Sequence, residues 1–165
     1  MSSSSLELMG AADEGEKTMI KKLTLERAVV IAVSSHEGQT DKGGHPYILH
    51  PLRVMMRVSS EDERIVAVLH DVLEDTSLSL PYLIKEGLNQ SCVDALIDLT
   101  RDDNEEYDAF IDRIAQCQLA TVVKMADLGD NMDMSRLKTW TRADEKRQAK
   151  YQRAYDRLAN LRDRR

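Results

Sequence analysis

From Leu23 onward, apolar residues recur at helical spacing, and the breaks between these periodic stretches fall at glycine, proline and serine. Leu25, Ala28, Val29, Ala32 and Val33 share one side of a first predicted helix, although the β-branched run Val29-Val30-Ile31 taken alone also fits a buried strand. Residues 38–46, with three glycines and a proline, form a loop that leads into a second predicted helix over 47–58, with His50-Pro51 at its start. The clearest helical stretch covers 61–74, with Ser59-Ser60 as caps and a stop near Thr76-Ser77. Further helices fit 80–86, 92–99, 105–117, 120–134 and 143–165. The last of these is heavily charged, with Tyr151, Tyr155, Leu158 and Leu161 as a thin apolar seam, so a surface position with a fraying end is expected. No repeat is visible. The expectation is an all-α, compact single-domain helical bundle over 23–165. Residues 1–22, which open with four serines after Met1 and sustain no apolar period, form a tail or loosely docked arm without chemistry.

Composition narrows this picture. At 165 residues, 42% apolar and 32% charged, with 7 Gly and 3 Pro, the chain suits one helical domain with a sizeable core. Only 4% is aromatic, so the core must be aliphatic with 8 Met as adaptable filler, and little is left for base stacking. A formal net charge of −6 argues against binding a nucleic-acid polymer, which needs a basic stripe. A small anionic substrate stays compatible, because one divalent cation and a few lysines can invert the field locally. Cys92 and Cys117 form neither a CxxC pair nor a disulfide framework, which points to reduced thiols. No apolar run is long enough to span a membrane and no signal peptide is apparent, so a cytoplasmic protein without a membrane partner is expected.

Chemistry concentrates on the 61–74 helix. At about 100° per residue, Val66, Leu69, Val72 and Leu73 fall on one side and His70, Asp71, Glu74 and Asp75 share the opposite arc. Taken alone, that arc also fits an ordinary solvated face. His50 beside a proline, and Asp127 in the apolar context Val122-Val123-Lys124-Met125-Ala126, shift the balance toward a site. Two imidazoles and two carboxylates without a thiolate suit Mn²⁺, Fe²⁺ or another octahedral divalent ion rather than structural zinc.

Four separate motifs carry a resemblance: His36-Glu37-Gly38-Gln39; Pro46-Tyr47-Ile48-Leu49-His50-Pro51; Leu69-His70-Asp71-Val72-Leu73-Glu74-Asp75-Thr76; and Val123-Lys124-Met125-Ala126-Asp127 followed by Asn131. In these the chain resembles the HD superfamily of metal-dependent phosphohydrolases. Within it, the likeness is to the hydrolase domains of Rel/SpoT enzymes and the stand-alone small alarmone hydrolases. The resemblance implies the HD-type helical fold and Mn²⁺-dependent removal of the 3′-pyrophosphate of guanosine tetra- or pentaphosphate. It implies metal ligation by His50, His70, Asp71 and Asp127, with Glu74 and Asp75 activating or relaying the attacking water. Asn131, Lys42 and Tyr151 are implied to contact the nucleotide. His36 is expected to orient or pack near the site, His45 to be solvated, and Lys124 either to pair with a carboxylate or to meet a phosphate.

Some positions depart from that pattern. The family's consecutive Arg-Lys pair before Pro-Tyr-Ile is here Asp41-Lys42, which replaces a bidentate cation by an anion. After Asp127, Leu128-Gly129-Asp130 replaces a basic residue, a leucine and an aromatic or His, and Asp133 stands where Arg is frequent. These acids are expected to make the pocket rim more negative. They leave room for another nucleotide or phosphorylated metabolite as substrate, or for a non-catalytic nucleotide-sensing module. A chain of 165 residues also leaves no room for a synthetase domain.

Overall fold

The computed structural model describes residues 21–136, 139 and 141–163. Apart from Lys21 and Lys22, the expected N-terminal arm lies outside the described residues, as do residues 164 and 165, where the fraying end is expected. Among the described residues the regular structure is helical, with one isolated bridge between Thr40 and Pro46 that closes the glycine loop.

Helix α1 (Leu25–Ser35) starts where the Thr24 side chain accepts from the Arg27 amide at 3.3 Å, so the β-branched run is helical, with Ala28, Ile31 and Ala32 buried. Helix α2 (Leu49–Met56) buries His50, Pro51 and Val54. Helix α3 (Glu61–Leu69) begins with a reciprocal capping box between Ser60 and Glu63. Its residues Ile65 to Leu69 are all buried because α1, α2, α6 and α8 pack around it.

The predicted 61–74 helix is broken. His70 Nδ1 donates to the Ala67 carbonyl at 2.7 Å, the acceptor that a continuing helix would give to the Asp71 amide. The chain restarts as the single turn α4 (Val72–Asp75). His70 is 4% exposed, so it does not share an outer arc with Glu74 and Asp75, as the helical wheel expects. The break turns the imidazole inward.

Helix α5 (Leu80–Lys85) follows, and α6 (Gln90–Leu99) and α7 (Tyr107–Ile114) pack on α8 (Gln118–Asn131). A 3₁₀ turn (Met134–Arg136) then leads toward α9 (Arg142–Arg162), which opens on a Thr141–Asp144 capping box. Helix α9 lies across α8 and α7 with Ala154 and Leu158 buried, and Arg157 grips Asp112 with two 2.7 Å bonds. No helix of the described residues is long and apolar enough to cross a membrane.

One backbone position locks the entry to α1. Gly87 has φ +98°, and its carbonyl accepts from the Leu23 amide at 2.9 Å. A Cβ there would sit 1.7 Å from the Lys21 carbonyl oxygen. Gly87→Ala is therefore expected to lower stability by at least about 1–3 kcal/mol, from the left-handed backbone alone, and to displace residues 21–23 as well. A urea titration against the parent chain checks this.

Candidate functional site

Three elements deliver the candidate ligand set. Helix α2 supplies His50, the α3–α4 break supplies His70 and Asp71, and α8 supplies Asp127. The ligating atoms of His50, His70 and Asp127 lie within 4.8 Å of one another and all three residues are buried. His50 Nε2 is 3.2 Å from Asp127 Oδ1 and 3.5 Å from Asp71 Oδ2, while His70 Nε2 is 3.1 Å from Asp71 Oδ2. Because a carbonyl only accepts, the bond to Ala67 places a hydrogen on His70 Nδ1 and leaves Nε2 to face the carboxylates. That buried Nε2 has no hydrogen-bond partner, as expected of an atom whose partner is a cation. The cluster can hold a divalent metal.

Each ligand candidate is itself held. His50 Nδ1 donates to Asp130 Oδ2 at 2.8 Å, and Arg53 closes a bidentate fork on the same carboxylate at 2.8 and 2.9 Å. Asp130 is 0% exposed. The expectation that Asp130 charges the pocket rim is thus corrected: its acid lies behind His50, neutralised by guanidinium groups. Asp127 accepts from Asn131 Nδ2 at 2.5 Å and from Lys124 Nζ at 2.8 Å, and Lys124 rests over the Phe110 ring. Of the two alternatives for Lys124, the carboxylate pair is formed, and the same side chain also lines the pocket. Tyr47 donates to Asp71 Oδ2 at 2.6 Å and reaches Asp75 Oδ2 at 3.2 Å. Buried His36 packs its ring at a tilt against Tyr47 and bonds Gln39, whose amide in turn holds the Asp75 carbonyl at 2.8 Å. His36 thus packs beside the site.

Electrostatics follow this geometry. Burial would lower the His50 pKa, but hydrogen bonds to Asp127 and Asp130 override it and raise the imidazole to about 9. His70 is also raised, with Asp71 and Asp127 overcoming its burial. Against its own burial, Lys124 holds Asp127 well below the usual carboxylate range, helped by both histidines. Burial pushes the Glu74 carboxyl up.

His50, Asp71 and Asp127 open onto a pocket of about 450 Å³. Its walls carry Lys42, Asn131 and Tyr151, together with Arg147 from α9. Asp41 and Asp133 line the same pocket. Asp41 Oδ1 accepts from the Gly43 and His45 amides at 2.8 and 2.9 Å, so it shapes the glycine loop that carries Lys42, while His45 is exposed. Glu74 and Asp75 do not line this pocket: they face a separate depression with Arg101 and Asp102, and Glu74 accepts from the Arg101 amide. Tyr47, Arg53 and Arg147 carry no assigned role in the sequence reading. For Tyr47 the signal is its place inside the His50 motif; for Arg53 it is the i, i+3 spacing from His50.

No family model matches the chain. The guanosine-3′,5′-bis(diphosphate) 3′-pyrophosphohydrolase of Aquifex aeolicus is 29% identical over 135 residues, covering 74% of this chain and 19% of that protein. A probable protein of the same name from Synechocystis is 31% identical over 120 residues, covering 64% and 16%. The bifunctional (p)ppGpp synthase/hydrolase SpoT of Escherichia coli is 43% identical over 56 residues, covering 32% and 8%. The chain spans about a fifth or less of the length of these relatives. A solved structure described as a metazoan ortholog of SpoT that hydrolyzes ppGpp matches with TM-score 0.68 and 24% identity, covering 83% of this chain and 88% of that one. The chain shares the helical fold of that structure and is similar in sequence to part of these hydrolases.

Proposed function

We propose that this chain is a divalent-metal phosphohydrolase that removes the 3′-pyrophosphate of guanosine tetra- or pentaphosphate, leaving GDP or GTP. The observation that carries it is the convergence of His50, His70, Asp71 and Asp127 beside a pocket walled by Lys42, Lys124 and Arg147. Likeness to proteins named for that reaction supplies the substrate.

The four side chains would hold Mn²⁺, or Fe²⁺, since they offer a mixed nitrogen and oxygen set without a thiolate. When bound, the cation supplies charge to offset the phosphoryl oxygens and acidifies water beside it. Lys124 and Asn131 keep Asp127 aimed, and Tyr47 keeps Asp71 aimed. Lys42 and Arg147 receive substrate phosphates, while Asn131 and Tyr151 face the nucleotide. The oxygen of water bonds to the 3′-linked phosphorus as the bond from that phosphorus to the ribose oxygen breaks. Glu74 and Asp75 relay the proton lost by water, and the ribose oxygen leaves as a hydroxyl. A carboxyl raised by burial, as at Glu74, is better matched to proton transfer near neutrality than an ordinary one.

Asp41 and Asp133 on the pocket wall favour a second reading, in which the same chemistry acts on a less highly phosphorylated nucleotide or metabolite. Incubating the Mn²⁺-loaded protein with guanosine tetraphosphate, NADPH and a nucleotide panel, followed by anion-exchange separation, tests both. GDP with intact pyrophosphate supports the first reading, and product from another compound alone supports the second. Bound metal with no turnover of any compound rejects hydrolysis.

Tyr47→Phe removes only the hydroxyl that holds Asp71. Its turnover is expected to fall by about 10- to 100-fold with the fold intact, as losing a partner of a metal ligand does elsewhere. Steady-state rates at saturating Mn²⁺ beside a circular-dichroism melt check this.

A further inference from the structure

We infer that Asp130, gripped by Arg53, is a positioning residue that sets the tautomer and aim of His50, and that metal affinity at this centre depends on it. This rests on the reading of the site as a metal centre.

His50, Arg53 and Arg57 stand at i, i+3 and i+7, along one face of α2 and its C-cap. All three converge on one carboxylate from α8. Asp130 Oδ2 accepts from His50 Nδ1 at 2.8 Å, Arg53 forks onto both oxygens at 2.8 and 2.9 Å, and Arg57 Nη2 stands 3.4 Å from Oδ1. A carboxylate only accepts, so Nδ1 keeps its hydrogen and Nε2 is left facing Asp71 and Asp127, free to offer its lone pair to a cation once its own proton is displaced. An acid as buried as Asp130 persists as an anion only when neutralised, which the bidentate guanidinium does. Gly129, one residue before, faces the tip of Arg57, where a Cβ would lie 3.1 Å from Nη1. Asp130, unexplained as a pocket rim, is thereby accounted for.

A purely structural clasp between α2 and α8 would use the same bonds, so the test must read His50 itself. Full-length Asp130→Asn and Arg53→Lys are compared with the parent by Mn²⁺ calorimetry without substrate, and by ¹⁵N NMR of the imidazole nitrogens in the metal-free proteins above pH 9, where the His50 ring is neutral. Asp130→Asn is expected to weaken Mn²⁺ binding by about 10- to 100-fold and to give a mixed His50 tautomer. Arg53→Lys, which keeps the charge and loses the fork, should fall between it and the parent. Unchanged affinity with the hydrogen still on Nδ1 in Asp130→Asn overturns the inference. If Asp130→Asn does not fold, Arg53→Met leaves the carboxylate in place, and the same two readouts decide: weakened binding supports the inference and parental affinity overturns it. A parent that binds no Mn²⁺ refutes the metal-centre reading instead, and the tautomer of Asp130→Asn still decides the positioning role.

Discussion

Asp127→Ala is expected to abolish Mn²⁺ binding and to lower stability by about 3–5 kcal/mol, because it breaks a buried ion pair from one side. Lys124 would keep its charge beside the Phe110 ring with the partner at 2.8 Å gone, and Asn131 would lose the acceptor of its 2.5 Å bond. The two effects separate in a double variant. Asp127→Leu with Lys124→Met removes both charges and fills the space with apolar atoms, which for buried pairs is often neutral or stabilising. Most of the lost stability should return, since Met packs well on an aromatic face. Neither Mn²⁺ binding nor hydrolysis should return. Urea denaturation and Mn²⁺ calorimetry on the parent and both variants give the comparison. An Asp127→Ala protein that still takes up Mn²⁺ with near-parental affinity would remove Asp127 from the ligand set.

The helices were legible because apolar spacing is a local property, and Ser60 marks a start that the chain realises as a cap. The break at His70 was not legible. Periodicity counts apolar residues, and a helix encircled by four others has no polar side for the wheel to find, so a buried histidine looked like part of an outer face. Its cause, a side-chain bond to the carbonyl three residues back, belongs to one rotamer rather than to a pattern. The motifs brought His50, His70 and Asp127 into one expected site, and the fold does place them together. What motifs could not show was depth. Asp130 follows Asp127 by three residues, nearly one turn, and was counted as a rim charge, because its partner His50 lies 80 positions away and meets it only when α2 packs on α8. Arg147 is similar, since only the path of α9 across α8 carries it to the pocket wall.

Mn²⁺ affinity should climb by about fiftyfold between pH 7 and pH 9, because binding must displace a proton from an imidazole that holds it up to about 9. Each pH unit below that value costs about a factor of ten per proton displaced, and His70, also raised, can steepen the slope. The metal-free protein should trend the other way. A group with a folded-state pKa above its unfolded value adds stability that is fully present below about 6.5, the unfolded imidazole value. That stability is lost as pH rises through about 9. The melting temperature of the metal-free chain should therefore drop across this window as the imidazolium that pairs with Asp127 and Asp130 gives up its proton, while saturating Mn²⁺ protects more strongly at each step. The two melting curves diverge toward alkaline pH. Parallel curves, with Mn²⁺ affinity flat from pH 7 to pH 9, would mean that the cation does not displace a proton from His50, and the ligand assignment at that position would fail. Divergence that persists in Asp127→Ala would place the titrating ligand elsewhere, because removing that carboxylate takes away both a ligand and a principal cause of the raised imidazole.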